Sequence, residues 1–309
     1  MTDDGQRCDL SVILISYNTR ELTVQAIESF YRFAPPINFE MIVIDNDSKD
    51  SSAEAIAGNF PQVQLIRSRE NKGFAAANNE AARLARGRRL LLLNPDTIHL
   101  DDATGALWAF AERTPERGIW GGRTLFPDHS LNPTSCWGRI SLWSLACSVF
   151  GLTAIAKRSA LFNPEGYGGW DRSCERDVDI VTGCFLMIDR SLWERLGGFD
   201  PAFFMYAEEA DLCLRAAQLG ARPGITPAAT IVHYGGASEV STIDKVVKVM
   251  RGRTTLIRKH WRPLAVRCAT GLLYLWAGLR VAGSMAMKPG ARDKWRAIWR
   301  RRAEWIAGY

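Results

Sequence analysis

The sequence predicts an α/β protein built on an open, mostly parallel sheet with helices on both faces. Three observations predict it. Short β-branched apolar runs alternate with segments of helical period from residue 10 to residue 113. Each apolar run hands over to a cluster of Asn, Asp, Ser or Gly. The 309 residues, 47% apolar and 23% charged, suit one large domain, or one and a half, with a real core.

The elements follow in order. "LSVILISYN" is a buried strand. "TRELTVQAIESFYRF" has helical spacing, with Leu22, Ala26, Ile27 and Phe30 on one face. "FEMIVIDND" is a second strand, "SSAEAIAGNF" a helix with Ser at its start, and "VQLIRS" a third strand. "FAAANNEAARLARG" is an Ala-rich helix with Gly87 as its C-cap. "RLLLLN" is a fourth strand and "ATGALWAFAER" a fourth helix. The alternation implies parallel pairing, and ligands of such sheets bind beyond the carboxyl ends of the strands.

The second half is less regular. Residues 121–170, rich in Gly, Pro, Ser and Trp, predict long loops over the sheet edge. "VDIVTGCFLMIDRSLWERLGGF" reads as a strand, a turn and a short helix. In "FFMYAEEADLCLRAAQLG" a helix begins near Glu208, buries Leu212, Ala216 and Leu219, and ends at Gly220. "ATIVHYGG" is a final strand with His233 at its exit.

Several function classes drop out. The acidic start "MTDDGQRCDLSVILISYN" predicts no secretory leader. Seven cysteines without a CxxC pair suggest a reducing compartment and no zinc site. No GxGxxG, GxxxxGK[ST] or GxSxG occurs. The net charge of +6 is a property of the tail: residues 251–309 hold 14 Lys and Arg against Asp293 and Glu304, leaving residues 1–250 at −6. A uniformly basic nucleic-acid surface would not look like this.

The strand exits carry Ser16-Tyr17-Asn18, Asp45-Asn46-Asp47, Asn71-Lys72-Gly73 and Asn94-Pro95-Asp96. Each alone is an ordinary turn or cap. Four along one edge describe a binding site. Asp96 is a candidate ligand for a hard divalent cation, which takes one or two carboxylates plus diphosphate oxygens. Asp45 could accept from a base N–H or a ribose hydroxyl while also capping the next helix. Gly73 allows close backbone approach, and the helix beginning at Phe74 offers N–H groups. Glu208, Glu209 and Asp211 crowd one helical turn; favourable interaction with the helix dipole needs fewer acids, and like charges raise one another's pKa, which suits a general base. His233 is a candidate second metal ligand.

In the tail the longest charge-free run, Cys268 to Leu279, is too short to span a bilayer. Five of the 11 tryptophans lie from residue 261 onward, and Lys and Arg flank the apolar segment. The pattern predicts a helix lying in the membrane interface and drawn to anionic headgroups. A helix packed on the domain or in a homodimer interface is the competing explanation. A nucleic-acid arm would not need the apolar segment.

Together "SVILISYN", "IVIDNDSKDSS", "NKGFAAANN", "LLLNPDT", "GCFLMIDRSLWERLGGFDPAFFMYAEEADLCLRAAQLG" and "IVHYGG" resemble the family 2 glycosyltransferases of the GT-A fold, in their rhamnosyltransferase-like branch. The resemblance covers roughly residues 9 to 262. It implies a glycosyltransferase domain over 1–262, with a nucleotide-sugar half (9–120) and an acceptor half (121–262), followed by a helical, membrane-associated extension over 263–309. It implies that Ser16, Tyr17, Asn18, Asp45, Asn71, Gly73, Phe74 and Asn78 line the nucleotide pocket. Asn94 and Asp96 stand at the family's DxD position, with Asn94 in place of the first Asp. Trp170 and Asp171 lie near the acceptor. Glu209, at the second acid of the family's Glu-Asp pair, is the catalytic base, and Glu208 holds the acceptor. The implied reaction is inverting transfer from a nucleotide-diphosphate sugar, dTDP-L-rhamnose above others, to a lipid-linked saccharide, with Mg2+ or Mn2+ at Asp96 and His233. The implied place is the cytoplasmic face of a bacterial inner membrane. The rivals are a UDP-sugar transferase and a non-catalytic, membrane-bound nucleotide-sugar scaffold.

Overall fold

A computed structural model describes residues 8–235, 241–285 and 289–309. They fall into two compact units. The first takes the described residues of Met1–Cys136, Asp171–Phe204 and Glu209–Ser238. The second takes those of Trp137–Trp170, Met205–Glu208 and Glu239–Tyr309.

In the first unit β1 (Leu10–Ser16), α1 (Arg20–Arg32), β2 (Phe39–Asp45), α2 (Ser52–Asn59), β3 (Gln64–Arg67), α3 (Phe74–Leu84), β4 (Arg89–Leu93), β5 (Thr97–His99), α4 (Ala103–Arg113) and β6 (Ile119–Leu125) follow one another. Two-residue strands come next: β7 (Leu131–Asn132), β8 (Cys136–Trp137), β9 (Arg176–Asp177) and β10 (Ile180–Val181). Then come β11 (Phe185–Asp189), α7 (Arg190–Leu196), α8 (Glu208–Gln218) and β12 (Gly224–His233). The main sheet has the order β3-β2-β1-β4-β11-β6-β12-β5. Its first four strands are parallel. From β11 outward it becomes mixed: β11 runs antiparallel to β4 and β6, while β12 is parallel to β6 and antiparallel to β5.

Burial explains the apolar runs. Every residue of β1 and of β4 is buried, as central parallel strands require. On one face Val12, Leu14, Met41, Val43, Leu91 and Leu93 pack against Ala26, Ile27 and Phe30 of α1, Ile56 of α2, and Leu107 and Phe110 of α4. Period two sends Ile13, Ile42 and Leu92 to the other face, and α3 packs on β1 and β2. Phe30 sits edge-on to Phe39 and His99, with ring centroids 5.3 and 5.4 Å away. Burial pushes the His99 pKa down to about 4, and its Nε2 meets the Thr104 hydroxyl at 2.9 Å.

Several expectations change. Leu22 is only half-buried, so the inner face of α1 is Thr23, Ala26, Ile27 and Phe30. Gly87 is no helix cap: α3 ends at Leu84 with Ala85 extended. Gly87 lies instead against β1, where its N–H donates to Ser11 Oγ at 2.8 Å and a Cβ would collide with backbone. Leu219 lies past the last residue of α8 and is exposed. Residues 121–170 are not all loop. β6 runs to Leu125, and α5 (Leu142–Val149) and α6 (Leu152–Ile155) follow. The Ser141 and Ser144 side chains form a capping box at the start of α5, which a Ser-rich composition disguised.

The second unit is helical. It contains α5 and α6 with α9 (Thr242–His260), α10 (Pro263–Ser284), α11 (Pro289–Arg300) and α12 (Arg302–Ala307). Its core joins Leu145, Val247, Met250, Ile257, Ala269, Leu273, Ala277 and Trp305. The expected boundary after residue 262 therefore falls inside this unit, because α9 and α10 share one core.

Two outcomes follow for stability. Above pH 6.5 His99 is neutral in the folded and unfolded chain alike. As pH falls toward 4 only the unfolded chain takes the proton, so unfolding in urea should show a loss of about 3 kcal/mol from this group. A His99→Gln chain should lack that slope. Gly87→Ala should lower stability by about 1–3 kcal/mol through forced overlap with β1; an unchanged midpoint would contradict the close approach.

Candidate active site at the strand ends

The parallel register sets the site. Ser16 pairs with Asp45, and Leu14 with both Val43 and Leu93, so β1, β2 and β4 end nearly level. Their exits sit on one edge, with Asp45 and Asn94 two strands, or about 10 Å, apart.

Asp45 closes β2 and is buried. Its Oδ2 accepts from the Ser48 N–H at 3.1 Å, a bond within the turn. It does not cap the next helix, which starts at Ser52 with Ser51 as its N-cap and no side-chain cap. Its Oδ1 is buried with no hydrogen-bond partner among the described residues. The neighbour Asn46 was not singled out from the sequence, although it stood in the same cluster. It is the hub of this corner. Its Nδ2 donates to Asn71 Oδ1 at 2.9 Å and to the Gly73 carbonyl at 3.4 Å, and its Oδ1 accepts from the Lys72 N–H at 3.1 Å. Asn71 Oδ1 also accepts from the Gly73 N–H at 2.9 Å.

Gly73 is needed, but for another reason than expected. Its φ is +80°, and a Cβ would collide with the Phe204 carbonyl and ring. The N–H of Phe74 donates to that carbonyl at 2.9 Å, so the start of α3 has a partner within the chain. Asn78 is likewise engaged, its Nδ2 donating to the Phe74 carbonyl at 2.9 Å. Ser16 is buried and shares a hydrogen bond with Thr23 at 3.0 Å. Asn18 ties the loop after β1 to the one after β2: its N–H donates to Ser48 Oγ at 2.9 Å, and its Oδ1 accepts from the Lys49 N–H at 2.7 Å. Tyr17 is half-buried.

A second cluster forms where β4, β5 and β12 meet. The antiparallel pairing of β12 with β5 sets His233 opposite Thr97, next to Asp96. His233 Nε2 lies 3.3 Å from Asp96 Oδ1, and the Tyr234 N–H donates to the Asp96 carbonyl at 3.0 Å. Burial opposes a charge on the imidazole, but the Cys184 sulfur and the Asp96 carboxylate favour one more strongly, lifting the pKa from 6.5 to about 11. Asn94 is held by its N–H, which donates to the Cys184 carbonyl at 3.0 Å. Asn94 Oδ1 and His233 Nδ1 are buried without partners among the described residues. Among the described residues no group of three or more His, Cys, Asp or Glu is placed to hold a metal ion by itself. A cation here would have Asp96 and, once it displaces the imidazole proton, His233 as its protein donors, and would need the rest from a ligand, which fits a diphosphate.

The three acids of α8 separate. Glu208 opens the helix and is buried, after Tyr206 (φ 71°) and Ala207 (φ 74°) in left-handed conformations. Glu209 lies by Gly183, where a Cβ would come 3.8 Å from Glu209 Cβ and 3.6 Å from the Phe74 ring. Asp211 is fully buried and pairs with Arg215 at 2.7 Å, while Arg215 also donates to the Leu196 and Gly198 carbonyls at 2.8 Å each. Asp211 thus anchors the helix to the turn after α7, which argues against the chemical role expected for it. Trp170 packs edge-on to Tyr167 at 5.9 Å in the second unit. Asp171 is exposed in the first, its Oδ1 accepting from the Ser173 N–H at 3.0 Å.

Comparison with known proteins decides the family. The model of the family described as "Glycosyl transferase family 2" matches residues 11–196, more than half of the chain. The chain belongs to that family. It is 29% identical over 235 residues to the uncharacterized protein y4gI of Sinorhizobium fredii, covering 73% of this chain and 24% of the relative. It is 26% identical over 211 residues to an N-acetylglucosaminyl-diphospho-decaprenol L-rhamnosyltransferase of Mycobacterium tuberculosis, covering 63% of this chain and 66% of the relative. The chain therefore spans about a quarter of the first relative and just under two thirds of the second. Among solved structures it resembles a mannosyltransferase of Pyrobaculum calidifontis in complex with GDP-Man and Mn2+. The TM-score is 0.57 at 20% identity, covering 98% of this chain and 86% of that one. The fold is of the GT-A type.

Gly183→Val should disturb the approach between Phe74 and Glu209 more than the fold, since the atoms nearest a Cβ there belong to those two side chains. The expected result is a melting temperature lowered by no more than about 2–4 °C, or about 1 kcal/mol. Near-UV circular dichroism should change. A chain that no longer folds would contradict this account.

Proposed function

We propose that the chain moves a sugar from a nucleoside-diphosphate donor to an acceptor hydroxyl with inversion. The donor is dTDP-L-rhamnose, and the acceptor is a lipid-linked, polyprenyl-diphosphate saccharide of a cell-wall or surface polysaccharide. One observation carries the reading: Asp45 Oδ1, Asn94 Oδ1 and His233 Nδ1 are buried without partners among the described residues, at the exits of β2, β4 and β12. Buried polar atoms are rarely left so, and several at one strand edge describe a ligand's contacts. The family supports glycosyl transfer. The name of the mycobacterial relative supports rhamnose and a lipid diphosphate.

The roles follow from the surroundings. Asp45 Oδ1 accepts from the base or the ribose. Asn94 supports the diphosphate as a hydrogen-bonding group. Asp96 and His233 hold Mg2+ or Mn2+; when bound, the ion neutralises charge on the departing diphosphate. Glu209 takes the proton of the acceptor hydroxyl. The acceptor oxygen bonds to the anomeric carbon as the bond to the diphosphate oxygen breaks, and that oxygen leaves with the electron pair through an oxocarbenium-like transition state. Glu208 orients the acceptor, and Trp170 and Asp171 are further candidate contacts for it.

The chain acts at the cytoplasmic face of the inner membrane; what the second unit supports is contact with a membrane surface. By length and composition α10 could cross a bilayer. Its packing favours lying in the interface. Ala269, Leu273 and Ala277 are buried in a core shared with α9, and both α9 and α11 are rich in Lys and Arg. A spanning helix would carry these charges into hydrocarbon.

Transfer assays with purified chain, a panel of nucleotide sugars and a polyprenyl-diphosphate saccharide test the reading. dTDP-L-rhamnose should be the best donor. Preference for a UDP-sugar would overturn the rhamnose assignment, and no transfer with any pair would favour a binding scaffold. Glu209→Gln should lower kcat by about 10²–10⁴ with donor affinity retained; unchanged turnover would remove Glu209 as the base. EDTA should stop transfer and Mn2+ or Mg2+ restore it.

A further inference from the structure

The sequence pattern puts membrane contact in residues 263–309 alone. The second unit exposes another apolar segment. α5 turns Leu145, Cys147 and Val149 inward. Outward, Trp143 is 47% exposed, Phe150 61%, Ile155 84% and Leu161 61%. Exposed large apolar residues normally scatter singly, whereas these four crowd one short stretch.

The stretch is built rather than frayed. Trp143 Nε1 donates to the Leu161 carbonyl at 2.7 Å, and its ring lies 6.2 Å from that of Phe162. Thr153 Oγ1 donates to the Phe162 carbonyl at 3.0 Å, closing the hairpin. The capping box at Ser141 fixes its start. Residues 137–164 contain Arg139, Lys157 and Arg158 and no Asp or Glu. Lys157 and Arg158, two and three residues after Ile155, are exposed.

The hairpin adjoins the tail helix. α5 packs on α10. Arg280 of α10 reaches the Ser148 carbonyl at 3.5 Å while its guanidinium lies 4.1 Å from the Trp276 ring. Along α10, Leu264, Leu275 and Leu279 are exposed. Apolar side chains bordered by cationic and aromatic groups, with no acid between, suit an anionic bilayer surface.

We propose that the α5–α6 hairpin is a second membrane-inserting element, dipping Trp143, Phe150, Ile155 and Leu161 into the acyl boundary beside α10, with Lys157 and Arg158 on anionic headgroups. This rests on the reading of the second unit as membrane-bound. It also assigns a role to residues outside the basic tail.

Sedimentation of the full chain with phosphatidylcholine vesicles, with and without phosphatidylglycerol, tests it. The wild-type chain should bind the anionic vesicles. Phe150→Ser with Ile155→Ser should weaken partitioning at least about tenfold, since both side chains are proposed to insert. Lys157→Gln with Arg158→Gln should reduce the preference for phosphatidylglycerol. Melting temperatures should stay within a few degrees of wild type, because all four side chains are exposed. If wild type binds and both double variants bind equally well, the hairpin proposal falls while the tail reading stands. If wild type binds neither vesicle, both fall. If the apolar variant instead dissociates a dimer with vesicle binding intact, the face belongs to a second copy and the proposal is overturned.

Discussion

The candidate site depends on β1, β2 and β4 ending level on one edge of the sheet. All three strands bury side chains on both faces toward these ends, so a slip of one residue would drive the inner set of one strand to the wrong side. Because register is fixed this firmly, the polar residues that follow each apolar run arrive together. Asp45 lies opposite Ser16, and Asn94 continues the strand beside them. The loops then interlock, with Asn46 holding Asn71, Lys72 and Gly73, and Asn18 holding Ser48 and Lys49. The result is an edge where carboxylates are buried yet not all satisfied.

Four acids on this framework end in different circumstances. Asp45 is half-engaged by a turn N–H. Asp96 faces an imidazole across 3.3 Å. Asp211 is consumed by Arg215, whose other donors grip the turn after α7. Glu209 stands by Gly183 and the Phe74 ring, where the two halves of the sequence approach each other. Charge alone does not separate these residues; their partners do.

Much of this was legible in the sequence. Apolar runs as uniform as "SVILIS" and "RLLLL" leave little choice but buried strands, and four exit clusters mark the edge. What escaped depended on partners far along the chain. Gly73 suggests room for a ligand by sequence, whereas in the fold it admits Phe204. Gly87 looked like a helix cap and instead touches β1. Asp211 looked like one of three equivalent acids until its arginine, one turn on, was found to bind a second turn. Asn46 sat in plain view, but an Asn after an Asp carries no local sign that it will bind a loop 25 residues later. α5 was hidden because its capping serines resemble loop composition.

The central claim is that this strand edge binds a nucleoside diphosphate through a cation held at Asp96. Calorimetric titration of dTDP into the full chain, with and without Mn2+, measures it most directly. The account predicts that binding strengthens by at least about tenfold, or 1.4 kcal/mol, with Mn2+, and that Asp96→Asn removes the gain while leaving metal-free binding in place. Equal affinity with and without Mn2+, or a full Mn2+ effect in Asp96→Asn, would contradict it.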